Sequence, residues 1–130
     1  MEHTDSSQID YREISMPLWE HMSAEEFIAM ASDVRFIGDS ALQTQHFIGQ
    51  SKWEVESDDK IVSHQQMRVA HQRYTDDSCK VVSVKGHAHG TSTVWYQKVA
   101  GQWKFAGLMP VLRWTEYDYE QLFGGCTTPR

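Results

Sequence analysis

A chain of 130 residues is long enough for one domain with one core and too short for two. Its 40% hydrophobic and 12% aromatic content excludes a disordered chain. The net charge of -6 argues against an electrostatic grip on phosphate backbones, so nucleic acid is not an expected partner. The start, MEHTDSSQ, has neither the basic residues nor the apolar run of a signal peptide, and no later stretch approaches a membrane span. Cys79 and Cys126 form neither a C-x-x-C pair nor a disulfide framework, which suits a reducing compartment. A cytoplasmic protein without membrane contact is the expectation.

Residues 1–8 read as a disordered leader, 9–124 as a single domain and 125–130 as a mobile tail. Ile9-Asp10-Tyr11-Arg12 opens a short segment that leads to Pro17. Ser23-Ala24-Glu25-Glu26 is a capping box, and Phe27, Ile28, Met30 and Ala31 form the apolar stripe of a short helix behind it. Leu42 to Ile48 alternates as a strand with Leu42, Thr44, His46 and Ile48 on one side, and Trp53 to Glu56 continues as another. Ser57-Asp58-Asp59-Lys60 is a turn feeding the clearest strand, Ile61 to Tyr74. Thr75-Asp76-Asp77-Ser78 turns the chain into a long strand from Lys80 to Tyr96. After the turn at Val99 to Gln102, a last strand from Trp103 ends at Pro110, which marks an edge, a bulge or the strand end. Thr115-Glu116-Tyr117-Asp118 resembles a second cap, with Tyr119, Leu122 and Phe123 at helical spacing before Gly124-Gly125. That predicts a C-terminal helix.

Period-two alternation sorts the strands into faces. One face of the Ile61–Tyr74 strand carries Met67, Val69 and His71. An imidazole there is either a hydrogen-bonded structural group or a catalytic group in a pocket, and His46 poses the same choice. In the next strand Gly86, Ala88, Gly90 and Ser92 share a side, and a row of such small residues implies a bend or something lying on it. His87 and His89 point the other way. Two imidazoles on one strand face could chelate a metal, but no carboxylate ligand lies at a suitable spacing, so polar residues on an outer surface are the preferred reading. No metal is predicted.

The pattern predicts an α+β fold: a cone-shaped, strongly curved, mainly antiparallel sheet with helices on its concave side. Such a cone is a pocket. Its candidate lining is Tyr11, Met30, His46, His71, the Gly86–Ser92 row, Pro110, Tyr119 and Phe123. That lining is mostly apolar, which suits an aromatic or polycyclic small molecule.

Several long words in one order make the chain similar to a known family. Ile9-Asp10-Tyr11-Arg12, Ala24-Glu25-Glu26-Phe27, Thr44-Gln45-His46-Phe47-Ile48-Gly49, His71-Gln72-Arg73-Tyr74, Lys85-Gly86-His87-Ala88-His89 and Trp103 to Leu108 closely resemble the fungal scytalone dehydratases, over about Ile9 to Phe123. The resemblance implies an NTF2-like cone, a trimer, and no metal or organic cofactor. It implies removal of water from a hydroxylated aromatic polyketide, such as scytalone or vermelone or a larger anthrone-type analogue, in melanin or related secondary metabolism. By position, His46 is the implied general acid–base, His71 the second pocket histidine and Tyr11 a water-positioning phenol. Val69, Met30, Pro110 and Phe123 are implied lining residues.

Abstracting a proton beside a carbonyl needs a base with a pKa near neutrality and donors aimed at the developing enolate oxygen. Histidine fits the first need. One imidazole can then return the proton to the departing hydroxyl in a syn elimination. Three departures from the family pattern stand out. The helix that carries a second tyrosine and a histidine-orienting aspartate in the family has no counterpart before Tyr11, and the family's serine and asparagine are replaced by Gly90 and Ser92. These changes predict a roomier pocket with fewer donors, and they leave a catalytically impaired ligand-binding or assembly module as the alternative to an enzyme.

Overall fold

The computed structural model describes residues 3–10 and 18–123. Six strands form one sheet: β1 (His3–Asp10), β2 (Leu18–Met22), β3 (Leu42–Ser57), β4 (Lys60–Tyr74), β5 (Val82–Val99) and β6 (Gln102–Tyr117). Their order across the sheet is β2-β1-β6-β5-β4-β3. Every pairing is antiparallel except that of β1 with β6. One helix, α1 (Ala24–Ala31), and a 3-10 turn (Tyr119–Gln121) complete the described chain.

The capping box forms as expected. The Ser23 backbone N–H donates to Glu26 Oε2 at 2.8 Å and the Glu26 N–H donates to Ser23 Oγ at 3.1 Å, satisfying two of the donors that a helix start leaves open. Behind the cap, Phe27 and Met30 pack against the core of Met22, Val94 and Phe105, with the Phe27 and Phe105 rings 5.6 Å apart. The helix thus covers the end of the sheet where β5 and β6 leave their turn.

Five bulges bend the long strands. Gly49 and Gln50 of β3 face Gln66 alone, β3 carries a further extra residue at Glu56 and β5 one at Ser83, and β6 carries one extra residue at Ala106 and another at Arg113. An extra residue on one strand kinks it and raises the local twist, so curvature comes from these points. The first of them joins the two strands expected over Leu42–Ile48 and Trp53–Glu56 into one 16-residue strand.

Several expectations are corrected. Residues 3–8, read as leader, lie in β1. The last strand does not stop at Pro110 but runs to Tyr117. Among the described residues β6 pairs with β1 as far as Leu108. Thr115 and Glu116 pair with Ala88 and His87, so they stay extended instead of capping a helix. The expected C-terminal helix is reduced to the 3-10 turn, whose start at Asp118 lacks a side-chain cap. Tyr11, Gly124-Gly125 and the tail lie outside the described residues.

Candidate active site

Register places the candidate residues in rows across the concave face. Thr44, His71 and Gly86 form one row, followed by His46, Val69, Ala88 and Thr115, then Ile48, Met67, Gly90 and Leu112, then Ser51, Gln65, Ser92 and Pro110. His46 and His71 are therefore diagonal neighbours on adjacent strands, a relation that sets Cα atoms roughly 7–8 Å apart. Six residues of β4 separate the His71 row from the Ser92 row, roughly 20 Å of extended strand. Only the sheet's curvature can bring both over one ligand.

His71 is buried, 6% exposed, and its Nδ1 lies 2.8 Å from Thr44 Oγ1. Desolvation, with smaller contributions from the nearby His46 and His87, lowers its pKa to about 4. The ring is neutral at neutral pH. His46 stands at the accessible rim of the face, yet enough protein surrounds the ring for desolvation to lower its pKa as well. A neutral imidazole open to a ligand at pH 7 is competent as a general base.

The C-terminal turn roofs this end of the face. Phe123 meets His71 edge-on with centroids 5.3 Å apart, and the Tyr119 ring lies 6.0 Å from it. Burial raises the Tyr119 pKa, so its phenol remains a hydrogen-bond donor. Fully buried Leu122 anchors the turn, contributing about 1.5–3 kcal/mol for a leucine removed from water. Arg73 reinforces it: Nε donates to the Leu122 carbonyl at 2.6 Å and Nη1 to Asp39 Oδ2 at 2.5 Å. Phe36, from the segment after α1, packs on Phe123 at 5.1 Å.

The small-residue row has a specific cause at two positions. A Cβ on Gly86 would lie 2.5 Å from Tyr119 Cα and 2.7 Å from Leu122 Cδ1, so glycine there admits the turn. A Cβ on Gly90 would meet the Val111 carbonyl oxygen, because the Arg113 bulge brings the β6 backbone close. The room expected at Gly90 is filled by the adjoining strand. Ser92 is 2% exposed and among the described residues its Oγ has no hydrogen-bond partner, an orphan hydroxyl of the kind a ligand or bound water satisfies. Pro110 is buried opposite it.

The fold thus gathers His46, Val69, His71, Tyr119 and Phe123 at one end, and Ser92 and Pro110 further along. Met30 belongs to the core around Val94 and Phe105, beyond the Ser92 row. Tyr11 is outside the described residues. Sequence reasoning missed Thr44 as the partner of His71, and missed the Arg73–Asp39 pair. Thr44 had been placed on the correct face, and an arginine in phase with His71 was a usable signal.

His87 and His89 occupy the outer face, as expected. His89 Nε2 lies 3.0 Å from Glu116 Oε2, His87 Nδ1 lies 3.1 Å from an Arg68 nitrogen, and the His89 ring stacks on Trp114 at 4.7 Å. Among the described residues no three His, Cys, Asp or Glu side chains are placed to hold a metal ion. A polar surface cavity of about 330 Å³ opens over the β3 bulge, lined by residues that include Lys52, His64, Gln66 and Thr93. Ser92 also lines it, whereas His46 and His71 do not, and its lining residues all carry polar side chains.

No described helix is long and apolar enough to cross a membrane. The family model described as scytalone dehydratase matches residues 4–128. The chain is 55% identical over 117 residues to Dehydratase GME11372 of Pestalotiopsis microspora, covering 90% of this chain and 74% of that protein. It is 58% identical over 116 residues to scytalone dehydratase PfmaJ of Pestalotiopsis fici, covering 89% of this chain but 61% of that protein. Among solved structures, Kfla4162 from Kribbella flavida superposes with a TM-score of 0.75 at 19% identity, covering 95% of this chain and 79% of that one. That likeness concerns the fold, the curved sheet of NTF2-like proteins. With nearly the whole chain matched and more than half of the aligned residues identical, the protein belongs to the scytalone dehydratase family.

Proposed function

We propose that the protein is a cytoplasmic hydro-lyase that removes water from a hydroxylated aromatic polyketide such as scytalone, vermelone or a larger anthrone-type analogue. The observation that carries this is the diagonal pair His46 and His71 on the concave face, under an aromatic roof, in a chain of the scytalone dehydratase family. The relatives are called dehydratases, and a neutral, accessible imidazole is what the reaction needs.

His46 takes the proton next to the substrate carbonyl, and the C–H electron pair becomes the enolate. Collapse of the enolate expels the β-hydroxyl, which takes the same proton back from the imidazolium and leaves as water. Such acid–base catalysis contributes roughly 10²- to 10⁴-fold. His71, neutral near pH 7, serves as a polar neighbour and not as a second cation. Val69 and Phe123 bound the ring system, and the Tyr119 phenol and Ser92 Oγ are available donors. Tyr11 holds a water on the carbonyl, and Met30, Gly90 and Pro110 shape the far wall.

A homotrimer is part of the proposal. It is supported by the outer face of the sheet, where exposed Phe47, Trp114 and Tyr117 are interleaved with Arg68, His89 and Glu116. The test is incubation of the purified protein with scytalone, vermelone and a hydroxylated anthrone, with product mass and native mass as readouts. Loss of one water from at least one substrate is expected, with a trimeric mass. Tight binding of all three without turnover would replace the enzyme by a ligand-binding module.

A further inference from the structure

Where Gly49 and Gln50 of β3 face Gln66 alone, two residues against one leave the ladder locally open. A cavity of about 330 Å³ lies there, lined by three consecutive residues from each of β3, β4 and β5, and its volume is within the range of small-molecule sites. Gln50, Lys52, His64 and Gln66 are exposed at its rim, whereas Ser92 in its lining is 2% exposed. Among the described residues the Ser92 hydroxyl has no hydrogen-bond partner. A polar cavity that reaches a buried, unmet hydroxyl calls for a hydrogen-bonding occupant.

The lining selects the chemistry of that occupant. Among the described residues no Asp or Glu and no apolar side chain lines the cavity, so a cation finds no counter-charge there and a flat apolar ring gains little by leaving water. Lys52 Nζ lies 2.7 Å from Glu54 Oε1 and His64 Nε2 lies 3.0 Å from Glu54 Oε2, so an anion would compete with a carboxylate already in place. What remains are the amides and hydroxyls of Gln50, Ser51, Gln66, Thr91 and Ser92, whose side chains have no hydrogen-bond partner among the described residues. Each can both donate and accept, which matches an alcohol group, and together they match several. We propose that the cavity is a second binding site, for a small neutral polyol the size of one hexose or its alditol. Gln66 and Thr91, directly opposed on β4 and β5, hold its hydroxyls from two strands, and Ser92 is the one residue shared with the concave-face candidates. Neither His46 nor a reaction enters, so polyol binding and dehydration can each fail without the other.

Titration of the ¹⁵N-labelled protein with sorbitol and with glucose, followed in proton–nitrogen correlation spectra, tests this. Amide signals of residues 50–52, 64–66 and 91–93 should shift together and saturate, with a Kd of about 1–10 mM for a ligand of about twelve heavy atoms at ordinary efficiency. Gln66→Leu and Thr91→Val each remove hydrogen-bonding capacity at nearly constant shape, and each should weaken binding about 3- to 10-fold, the scale of one neutral hydrogen bond. Gln66 is exposed, so Gln66→Leu carries the test even if Thr91→Val fails to fold. Shifts that never saturate, or that scatter over the surface, would reduce the cavity to a place for water and overturn the proposal. Unchanged affinity in Gln66→Leu would overturn it too. So would saturation of the same signals by acetate, phosphate or a naphthol at lower concentration than by either polyol.

Discussion

Acid should destabilise this fold through one buried imidazole. His71 is 6% exposed, and its pKa is lowered from 6.5 to about 4 in the folded chain. The unfolded chain therefore binds the proton first, and between those values it carries more protons than the native state. Stability must rise with pH across that window and fall as pH drops through it. The window is 6.5 less 4, or about 2.5 units, and each unit is worth about 1.36 kcal/mol. The native state should thus lose about 3 kcal/mol between pH 7 and pH 4, a large share of the 5–15 kcal/mol typical of a domain. Urea unfolding followed by tryptophan fluorescence at steps across this range measures it, with His71→Leu as the comparison. Asp39 and Glu116 have lowered pKa values, so their stabilisation is lost only as pH falls through those folded values, and both proteins share it. The difference between the two proteins isolates His71. Equal losses in wild type and His71→Leu would refute the reasoning.

Other consequences can be checked one by one. Gly86→Ala puts a Cβ 2.5 Å from Tyr119 Cα, so the turn must lift. A loss of about 1–3 kcal/mol from overpacking should appear in urea unfolding, with a fall in kcat/KM as Phe123 leaves His71. Arg73→Met strips partners from Asp39 and the Leu122 carbonyl. It should cost about 1–2 kcal/mol, and a melting temperature equal to wild type would show that the latch is not needed. Because desolvation lowers the His46 pKa, the base stays neutral further into acid than a free imidazole. The acid limb of kcat/KM should therefore lie below pH 6.5, and a limb at or above that value would count against His46.

Much of the concave face was legible from alternation alone. The phase of Met67, Val69 and His71 put the imidazole inside, the Gly86–Ser92 row marked the neighbouring inner surface, and the H-x-H pair fell outside. What could not be read was register across bulges. Counting back from the Ser57–Lys60 pair misplaces Thr44 by two residues unless the extra residues at Glu56 and at Gly49–Gln50 are known, so its partnership with His71 stayed hidden. The Arg113 bulge likewise turned Gly90 from supposed free space into a site of close backbone approach. Propensity also misled at the C-terminus: Thr115 to Tyr117 looked like a cap, but pairing with β5 held Thr115 and Glu116 extended. Tertiary pairing overrode a local signal there. The role of Ser92 is half legible, since its side of the strand could be read but the absence of any partner for its hydroxyl could not.

On the proposed function, His46 drives the dehydration. The most direct measurement compares kcat and ligand affinity of the wild type and His46→Ala on scytalone, followed by the absorbance change on aromatisation. The account predicts turnover by the wild type, a loss of at least about 10²-fold in kcat on removing the acid–base group, and nearly unchanged binding of a product-like naphthol. Turnover retained in His46→Ala would contradict it.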